Sequence, residues 1–365
     1  MKLNKYYIIN LFGRILKKFK INPYFIHYLL IKKMNKLTED DCFKELEKYH
    51  PDLGSSSIRV TKQIREIKYD IQIIVPVYNV EKYLEVCLDS ILNQKFNGSY
   101  IVTIINDGST DNSGLILNKY VDNPRCEIIT KENGGLSSAR NKALDNIKGK
   151  YLFFLDSDDF IPDGTFQKLF DEAVRTNNRI IYGPYQRVDE NNNIISTYNP
   201  RRDKVKGCIC GKLYESSLFE NLIFPDKYWF EDTIVAMLMG PEIKDFSCIN
   251  DIVYYYRENT AGISHSAKGN NRVIDTIYIT RKILDDLRKA QKELNLNFYD
   301  IYLEQVRMNQ ERINSLGDET INKLSFKIHC ALLSRFPAYN TLDKKLKLLE
   351  WSLRNKNYTA YLLAI

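Results

Sequence analysis

The sequence predicts an α/β protein whose central sheet is mostly parallel. Four apolar runs have the character of buried strands: Gln72–Val77, Tyr100–Asn106, Cys126–Thr130 and Tyr151–Leu155. The stretches between them show helical apolar spacing, as at Tyr83, Val86, Cys87 and Ile91. Runs that are apolar on both faces and alternate with helices are typical of a parallel sheet that helices cover on both sides.

The length and charge of the chain indicate its domain organisation and exclude one class of partner. A chain of 365 residues with 44% hydrophobic content can bury a sizeable core, as one large domain with an appendage or as two domains. Residues 1–38 contain nine Lys or Arg and no Asp or Glu, so subtracting nine from the net charge of +7 leaves −2 for the remainder. Because the positive charge is confined to one segment without a recognition motif, we expect no nucleic-acid partner.

Cysteine usage and hydropathy bear on the compartment. The seven cysteines are scattered without C-x-x-C spacing, which indicates reduced thiols rather than a zinc site or a disulfide framework. No run approaches the ~20 apolar residues that span a bilayer, and the N-terminus lacks the long apolar stretch of a signal peptide. We therefore expect a cytoplasmic protein.

Polar residues follow each predicted strand. In α/β sheets, ligands bind in the crevice at the carboxyl ends of the strands, so these residues are the first candidates for a site. The four segments are Pro76–Asn79, Asn106–Asp111, Glu132–Gly135 and Asp156–Asp159.

Two of these segments contain carboxylates suited to ligand binding. Asp156–Asp159 could hold Mg²⁺ or Mn²⁺ through one or two carboxylates together with substrate phosphates, or could be a solvated acidic turn before the next helix. Asp107 could accept hydrogen bonds from a nucleobase or a ribose, while Gly108 turns the chain and Ser109 or Thr110 caps a helix. No G-x-G-x-x-G follows the first strand and no G-x-x-x-x-G-K-[ST] occurs, which argues against a dinucleotide dehydrogenase and a P-loop NTPase.

The order of these segments closely resembles the family 2 glycosyltransferases with a GT-A fold. The motifs that carry the resemblance are Val75–Asn79, Asn106–Asp111, Glu132–Asn141, Asp156–Asp159, Lys212–Tyr214, Phe230–Asp232 and Tyr255–Arg257 through Ser264–His265. One such motif is a weak signal, whereas the ordered series is a strong one. The resemblance covers roughly residues 70–266.

The resemblance implies a metal-dependent, inverting transfer from a nucleotide-diphospho-sugar, a UDP-sugar, to a hydroxyl of a bacterial surface glycan or a lipid-linked glycan. It implies Mn²⁺ or Mg²⁺ as cofactor, with Asp158 and His265 as candidate ligands. Asp107 matches the uracil contact, and Lys212 and Arg257 are candidate diphosphate contacts. The positions implied for the nucleotide sugar are Pro76, Tyr78, Asn79, Asp107, Gly135, Arg140, Asp156, Lys212 and Arg257.

Asp232 matches the catalytic base of the family. In-line attack by an acceptor hydroxyl requires that its proton leave as the bond forms, and a carboxylate within hydrogen-bond reach can take that proton. Asp232 would also make a good N-cap for the apolar stretch Thr233–Leu238. Glu231 could orient Asp232 or be structural. His265 lies in a polar, glycine-containing segment and could be a satisfied polar residue rather than a ligand.

The pattern predicts three domains. Residues 1–68 form a basic helical segment, residues 69–266 the GT-A catalytic domain and residues 267–365 a helical region. A basic amphipathic helix within residues 1–36 could lie peripherally on the inner face of the plasma membrane, or could pack on the protein's own catalytic domain. The C-terminal helices could bind acceptor, form a homo-oligomer or complete a membrane-facing surface.

Two other functions stay open at this point. A nucleotidyltransferase shares the need for a nucleotide and a metal, but it would release pyrophosphate instead of a nucleoside diphosphate. A catalytically silent scaffold could keep the fold and lose turnover, since fold does not fix function. Against the scaffold, every carboxylate that the resemblance requires is present.

Overall fold

The computed structural model describes residues 37–59, 64–200, 202, 205, 208–259, 262 and 266–365. The predicted amphipathic helix of residues 1–36 lies outside this range. The chain divides into two compact units. We call Gly54–His265 the sheet unit, and Met1–Leu53 together with Ser266–Ile365 the helical unit.

The elements are numbered here in chain order. The strands are β1 (Ile64–Val77), β2 (Tyr100–Asn106), β3 (Cys126–Thr130), β4 (Asn146–Phe154), β5 (Ile180–Tyr182), β6 (Tyr185–Val188), β7 (Ile194–Tyr198), β8 (Lys212–Glu215), β9 (Phe246–Cys248) and β10 (Tyr254–Arg257). The helices are α1 (Glu39–Glu47), α2 (Leu84–Leu92), α3 (Ser113–Leu117), α4 (Leu136–Leu144), α5 (Thr165–Thr176), α6 (Asp275–Lys289), α7 (Leu296–Asn314), α8 (Glu319–Leu333), α9 (Lys347–Arg354) and α10 (Tyr358–Ala364). A π-helix spans Val235–Met239, and 3₁₀ turns span Asn118–Tyr120, Ser216–Phe219 and Asn271–Ile274.

The large sheet of the sheet unit has the strand order β3-β2-β1-β4-β8-β5-β9. Strands β3, β2, β1 and β4 are parallel to their neighbours, as are β5 and β9, whereas β8 runs antiparallel to both β4 and β5. The prediction of an α/β fold with a mostly parallel central sheet is therefore confirmed. All residues of β2 are buried, as expected for a strand covered on both faces.

Register brings the polar strand ends to one edge of the sheet. Val77 lies opposite Asn106, which in turn lies opposite Thr130, and Ile74 lies opposite Phe154. Strand β1 begins at Ile64, earlier than the predicted start at Gln72, because its first five residues are exposed and mix isoleucine with charged residues instead of forming a continuous apolar run.

A second sheet has the order β10-β6-β7. A hairpin around Asp189 joins β6 and β7: the two strands are antiparallel, and the Asp189 amide donates to the Asn193 carbonyl over 3.0 Å. The Asp189 carboxylate accepts from the Asn191 and Asn193 amides, each at 2.8 Å. These bonds fix the turn and therefore the register of the two strands.

The helical unit contains α1 and α6–α10. Asp318 caps α8 by accepting from the Thr320 amide at 2.7 Å, and Asn295 caps α7 by accepting from the Asn297 amide at 3.0 Å. Among the described residues, no helix is both long enough and apolar enough to cross a bilayer.

The unit boundaries can be compared with the three predicted domains. The boundary at 265/266 lies beside the predicted one at 266/267, whereas the boundary at 53/54 lies before the predicted one at 68/69. Residues after 53 belong to the sheet unit because they pair with it: the Ser55 amide donates to the Asp226 carbonyl at 3.2 Å, and Ile58 bridges Leu222. The apolar residues of α1, Phe43 among them, are instead buried in the helical unit.

Candidate active site

Arg140 joins two of the predicted motifs. It lies in α4, is 2% exposed, and donates through Nη2 to Asp156 Oδ1 at 2.7 Å. Its Nη1 donates to Glu231 Oε1, and the guanidinium lies 5.4 Å from the centroid of the Phe224 ring. We call Arg140, Asp156 and Glu231 the arginine cluster. It brings the end of β4 together with the Phe230–Asp232 motif.

Burial and charge act against each other in this cluster. Burial alone would lower the pKa of Arg140, but the carboxylates of Asp156 and Glu231 outweigh it and hold that pKa well above its ordinary value. Burial also raises the pKa of Glu231; the charge of Arg140 opposes that rise and the charge of Asp232 adds to it. Asp232, the candidate base, directly follows Glu231 and so lies next to the cluster in the chain.

Glu231 and Asp232 occupy a turn that leads into the π-helix. The Thr233 amide donates to the Phe230 carbonyl at 3.0 Å, and the Val235 amide donates to the Asp232 carbonyl at 2.9 Å. Phe230 has a φ of +65°, a conformation that costs a bulky residue about 1–3 kcal/mol. Strain of this kind is common at functional sites, and here it sets the position of the two carboxylates.

Asp107 organises the loop that follows β3. Its carboxylate is almost completely buried and accepts from the Gly134 amide at 3.0 Å, the Gly135 amide at 2.7 Å and the Lys131 ammonium. Gly135 has a φ of +86° and directly precedes α4, the helix that bears Arg140. The loop that Asp107 holds thus leads into the arginine cluster. Its predicted contact with a nucleobase stays a prediction.

The nucleotide-binding candidates at the end of β1 are Pro76, Tyr78 and Asn79. Pro76 is buried within β1, and Tyr78 is 50% exposed. Asn79, at a φ of +48°, accepts through Oδ1 from the Thr110 amide at 2.8 Å. Its own amide donates to Ser109 Oγ at 3.2 Å, so Asn79 fixes the loop after β2.

Arg257 clamps the carboxylate loop Asp156–Asp159. It is 3% exposed, lies between the rings of Tyr83 and Phe160, and donates through Nε to the Asp158 carbonyl at 2.9 Å. Its backbone amide donates to Asp159 Oδ1 at 2.7 Å. In this structure the guanidinium is occupied by protein groups, so Arg257 supports the loop; its predicted contact with a diphosphate stays a prediction.

Lys212 is likewise engaged by protein atoms. It is 8% exposed, and its ammonium donates to the Cys208 carbonyl. Sequence reasoning overlooked Cys210, whose sulfur accepts from Arg140 Nη2 at 3.8 Å. Its closeness to Lys212 in the sequence was the available signal.

Three residues that support the carboxylates were also missed. Tyr254 donates to Asp159 Oδ2 at 2.5 Å, and Asn259 Nδ2 donates to Asp158 Oδ2 at 3.0 Å. Lys131 pairs with Asp107. Each flanks a motif used for the prediction, but the sequence does not show which side chains those neighbours meet.

The carboxylate loop Asp156–Asp159 gathers like charges in a largely buried place. Burial and then the charge of Asp156 raise the pKa of Asp158, and burial with the charges of both neighbours raises that of Asp159 well above its ordinary value. A bound divalent cation would relieve this repulsion, and hard oxygen ligands suit Mg²⁺ or Mn²⁺. Within the described residues, no group of three or more His, Cys, Asp or Glu could hold a metal ion, and the predicted metal site stays a prediction. His265 lies outside the described residues.

Comparison with known proteins places the chain in a family. The sequence profile "Glycosyl transferase family 2" matches residues 72–225. Glycosyltransferase GlyA of Streptococcus pneumoniae is 30% identical over 75% of this chain and 43% of its own length, so the chain spans less than half of that relative. The uncharacterized glycosyltransferase EpsJ of Bacillus subtilis is 30% identical over 64% of this chain and 70% of its own length.

The chain is also similar to a protein of teichoic acid biosynthesis and to a solved crystal structure. The minor teichoic acid biosynthesis protein GgaB of B. subtilis is 28% identical over 64% of this chain and 28% of its own length. The crystal structure of S. aureus TarS 1–349 in complex with UDP-GlcNAc superposes with a TM-score of 0.55 at 21% identity. That match covers 81% of this chain and 90% of the TarS chain, and it shows the same GT-A fold. The chain belongs to the family 2 glycosyltransferases.

Proposed function

We propose that this protein is an inverting glycosyltransferase that moves a sugar from a UDP-sugar to a hydroxyl of a bacterial surface glycan or lipid-linked glycan. The observation that carries the proposal is the arginine cluster, in which one buried guanidinium holds Asp156 and Glu231, and Asp232 directly follows Glu231. The role of GgaB in teichoic acid biosynthesis supports this class of acceptor, and the UDP-GlcNAc bound to TarS supports this class of donor.

Asp232 would be the general base. It is half-buried and follows Glu231, whose carboxylate is tied to Arg140, so its backbone is held in a fixed turn. A carboxylate at this point can accept the proton of an acceptor hydroxyl as that oxygen attacks the anomeric carbon. General-base catalysis of this kind contributes typically about 10²–10⁴-fold to the rate. Glu231 acts by positioning Asp232.

The donor would lie along the polar edge of the sheet. The loops held by Asn79 and Asp107 would take the nucleoside, and Asp156 would face the ribose and donor sugar. Asp158 would hold Mn²⁺ or Mg²⁺, which when bound supplies positive charge that stabilises the leaving diphosphate. Arg257 keeps the Asp158 backbone in place through its Nε bond of 2.9 Å.

The two rival functions differ from this one in what they release. A nucleotidyltransferase would liberate pyrophosphate, and a silent scaffold would release neither pyrophosphate nor a nucleoside diphosphate. The strained turn at Phe230 and the buried arginine cluster favour an enzyme over a scaffold, because such features cost stability and are common at catalytic sites.

The experiment is a release assay with a panel of UDP-glucose, UDP-galactose, UDP-GlcNAc and UDP-GalNAc, each with Mn²⁺, with Mg²⁺ and with EDTA. We expect UDP from one donor only when metal is present, and loss of that release in Asp158→Asn. Asp163→Asn, an exposed change in the same loop region, should behave as the parent. Pyrophosphate as the product would indicate the nucleotidyltransferase. If no donor reacts and none binds with metal present, the scaffold is indicated, whereas donor binding without turnover would point to a missing acceptor.

The location of the protein is a second part of the proposal. The basic amphipathic pattern of residues 1–36 supports peripheral binding to the inner face of the plasma membrane. We expect co-sedimentation with anionic phosphatidylglycerol vesicles that weakens at high salt. Equal binding to neutral phosphatidylcholine vesicles, or no binding to either, would contradict it.

A further inference from the structure

A row of three tyrosines crosses the small sheet. Tyr254 in β10 lies opposite Tyr185 in β6, which lies opposite Tyr198 in β7. Directly opposite residues share one face of a sheet, so the three residues lie in one row across that face. Exposure increases along it, from 4% at Tyr254 through a half-buried Tyr185 to 38% at Tyr198 on the edge strand.

The buried end of this tyrosine row is part of the candidate active site. Tyr254 donates to Asp159 Oδ2 at 2.5 Å and accepts from the Asp156 amide at 3.4 Å. A Cβ on Gly211 would lie 3.0 Å from the Tyr254 Cβ, so the segment before β8 packs directly on the row. The row therefore begins at the carboxylate loop that the proposed function assigns to the donor.

The exposed end of the row has the shape of a sugar-binding surface. The rings of Tyr185 and Tyr198 stack, with centroids 4.8 Å apart and planes at 30°. Because Tyr185 covers one side of the Tyr198 ring, the exposed part of the ring includes its other side. Arg187 and Ser196 lie opposite one another in the next row of the same face and supply hydrogen-bonding groups beside the ring.

We propose that Tyr198, supported by Tyr185, stacks on a pyranose ring of the glycan acceptor, some distance from the hydroxyl that is glycosylated. One face of a pyranose carries mainly C–H groups, and these pack well on the negative face of an aromatic ring that is already rigid. The hydroxyls at the sugar's edge would meet Arg187 and Ser196. The assignment rests on the proposed glycosyl transfer, and it fits the acceptor because the row leads away from the donor edge of the large sheet.

The test measures oligosaccharide binding without turnover, by saturation-transfer NMR titration of the full chain with cellotetraose, chitotetraose and maltotetraose, in the presence of UDP and Mn²⁺. We expect the parent to bind at least one of the three and Tyr198→Ala to bind it at least about fivefold more weakly. Tyr198→Phe keeps the ring and should bind as the parent does. Thr197→Ala is the matched control, since Thr197 lies on the opposite face of β7, where it accepts from Gln186 at 3.2 Å.

Failure of this inference can be told apart from failure of the proposed function. The proposed stacking on Tyr198 would be overturned if the parent bound none of the three sugars. It would also be overturned if Tyr198→Ala bound as tightly as Thr197→Ala. Loss of binding in Tyr198→Phe would overturn it too, because the hydroxyl rather than the ring would then be the contact. We expect each variant to bind UDP as the parent does. If the parent turned over no nucleotide sugar, that result would count against the proposed glycosyl transfer and not against the stacking on Tyr198.

Discussion

Arg140 Nη2 lies 2.7 Å from Asp156 Oδ1, and the same guanidinium binds Glu231, which is 91 residues further along the chain. One buried cation therefore neutralises acidic residues from both halves of the sheet unit. Without it, the two carboxylates and their neighbour Asp232 would repel one another in a place with little water. The position of the candidate base relative to the donor edge thus depends on a single side chain.

Arg140→Ala should cost the sheet unit about 3–5 kcal/mol, because removing one partner leaves the other buried charges uncompensated. Urea unfolding followed by tyrosine and tryptophan fluorescence measures this. The control is Arg175→Ala, whose side chain is 71% exposed and pairs with Glu172; it should cost less than about 1 kcal/mol. If the two variants unfold within error of each other, the cluster does not hold the site together.

Gly108→Ala should disturb the loops proposed to bind the nucleoside. A glycine-to-alanine change with similar backbone strain but open space around it should not. Gly108 has a φ of +71°, and a Cβ there would lie 2.8 Å from the Asn133 amide nitrogen. Gly269, with a φ of +76° and open space around it, is the control. Both variants should lose about 1 kcal/mol or more of stability, because alanine disfavours the left-handed backbone conformation. Only Gly108→Ala should also bind UDP more weakly, as measured by calorimetry. Unchanged UDP affinity in Gly108→Ala would contradict the placement of the nucleoside.

Arg257→Lys should weaken metal binding although the charge is kept. Lysine cannot reproduce the planar contact between the Tyr83 and Phe160 rings or the fork of donors to Asp158 and Asn192. Loss of such a support typically costs about 10–100-fold in metal affinity or activity. Electron paramagnetic resonance of Mn²⁺ in the presence of UDP measures the affinity, with Arg175→Lys as the control. Equal Mn²⁺ affinity in both variants would show that the clamp does not shape the cation site.

His329 should make the helical unit sensitive to acid. It is fully buried in α8, and burial lowers its pKa to about 3 from an ordinary 6.5. The native state holds it neutral, so the unfolded state binds the extra proton, and stability falls as the pH drops below 6.5 towards 3. At pH 5 the loss should be roughly 2 kcal/mol relative to pH 8.

His329→Met is the variant that tests this, because methionine fills the space without titrating. Tyr302 keeps its bond of 2.9 Å to the backbone carbonyl of residue 329. Hydrogen exchange of α7 and α8 amides at pH 8 and pH 5 should show a smaller acid loss in the variant than in the parent. The same acid loss in both would mean that other groups cause it.

The sequence predicts the large sheet and its polar edge well because both depend on local patterns. Strands β2 and β3 are the apolar runs themselves, although only β2 is fully buried, because β3 lies at the edge of the sheet. The carboxylate loop closely follows β4. The pairing of Arg140 with Glu231 could not be predicted in the same way. It depends on how α4 and the Phe230 turn approach each other, and no local periodicity encodes that distance.

The environments of Arg257 and α1 could not be predicted from the local sequence either. An arginine in a polar motif suggests a phosphate contact, yet here the Tyr83 and Phe160 rings enclose it, and those residues are far from it in the sequence. Helix α1 has an apolar face that could pack on either unit; the structure groups it with the C-terminal helices, where Arg335 pairs with Glu39 at 2.5 Å. In each case the choice of partner is tertiary information.

The role of Asp232 is tested most directly by the rate of UDP release by Asp232→Asn on the donor that the parent uses, with UDP affinity measured on the same samples. We expect a loss of about 10²–10⁴-fold in kcat with UDP affinity unchanged, because the amide keeps the size of the side chain but cannot accept the hydroxyl proton. Asp163→Asn should retain the parent's rate. If Asp232→Asn turns over within threefold of the parent, Asp232 is not the base and the proposed mechanism is wrong.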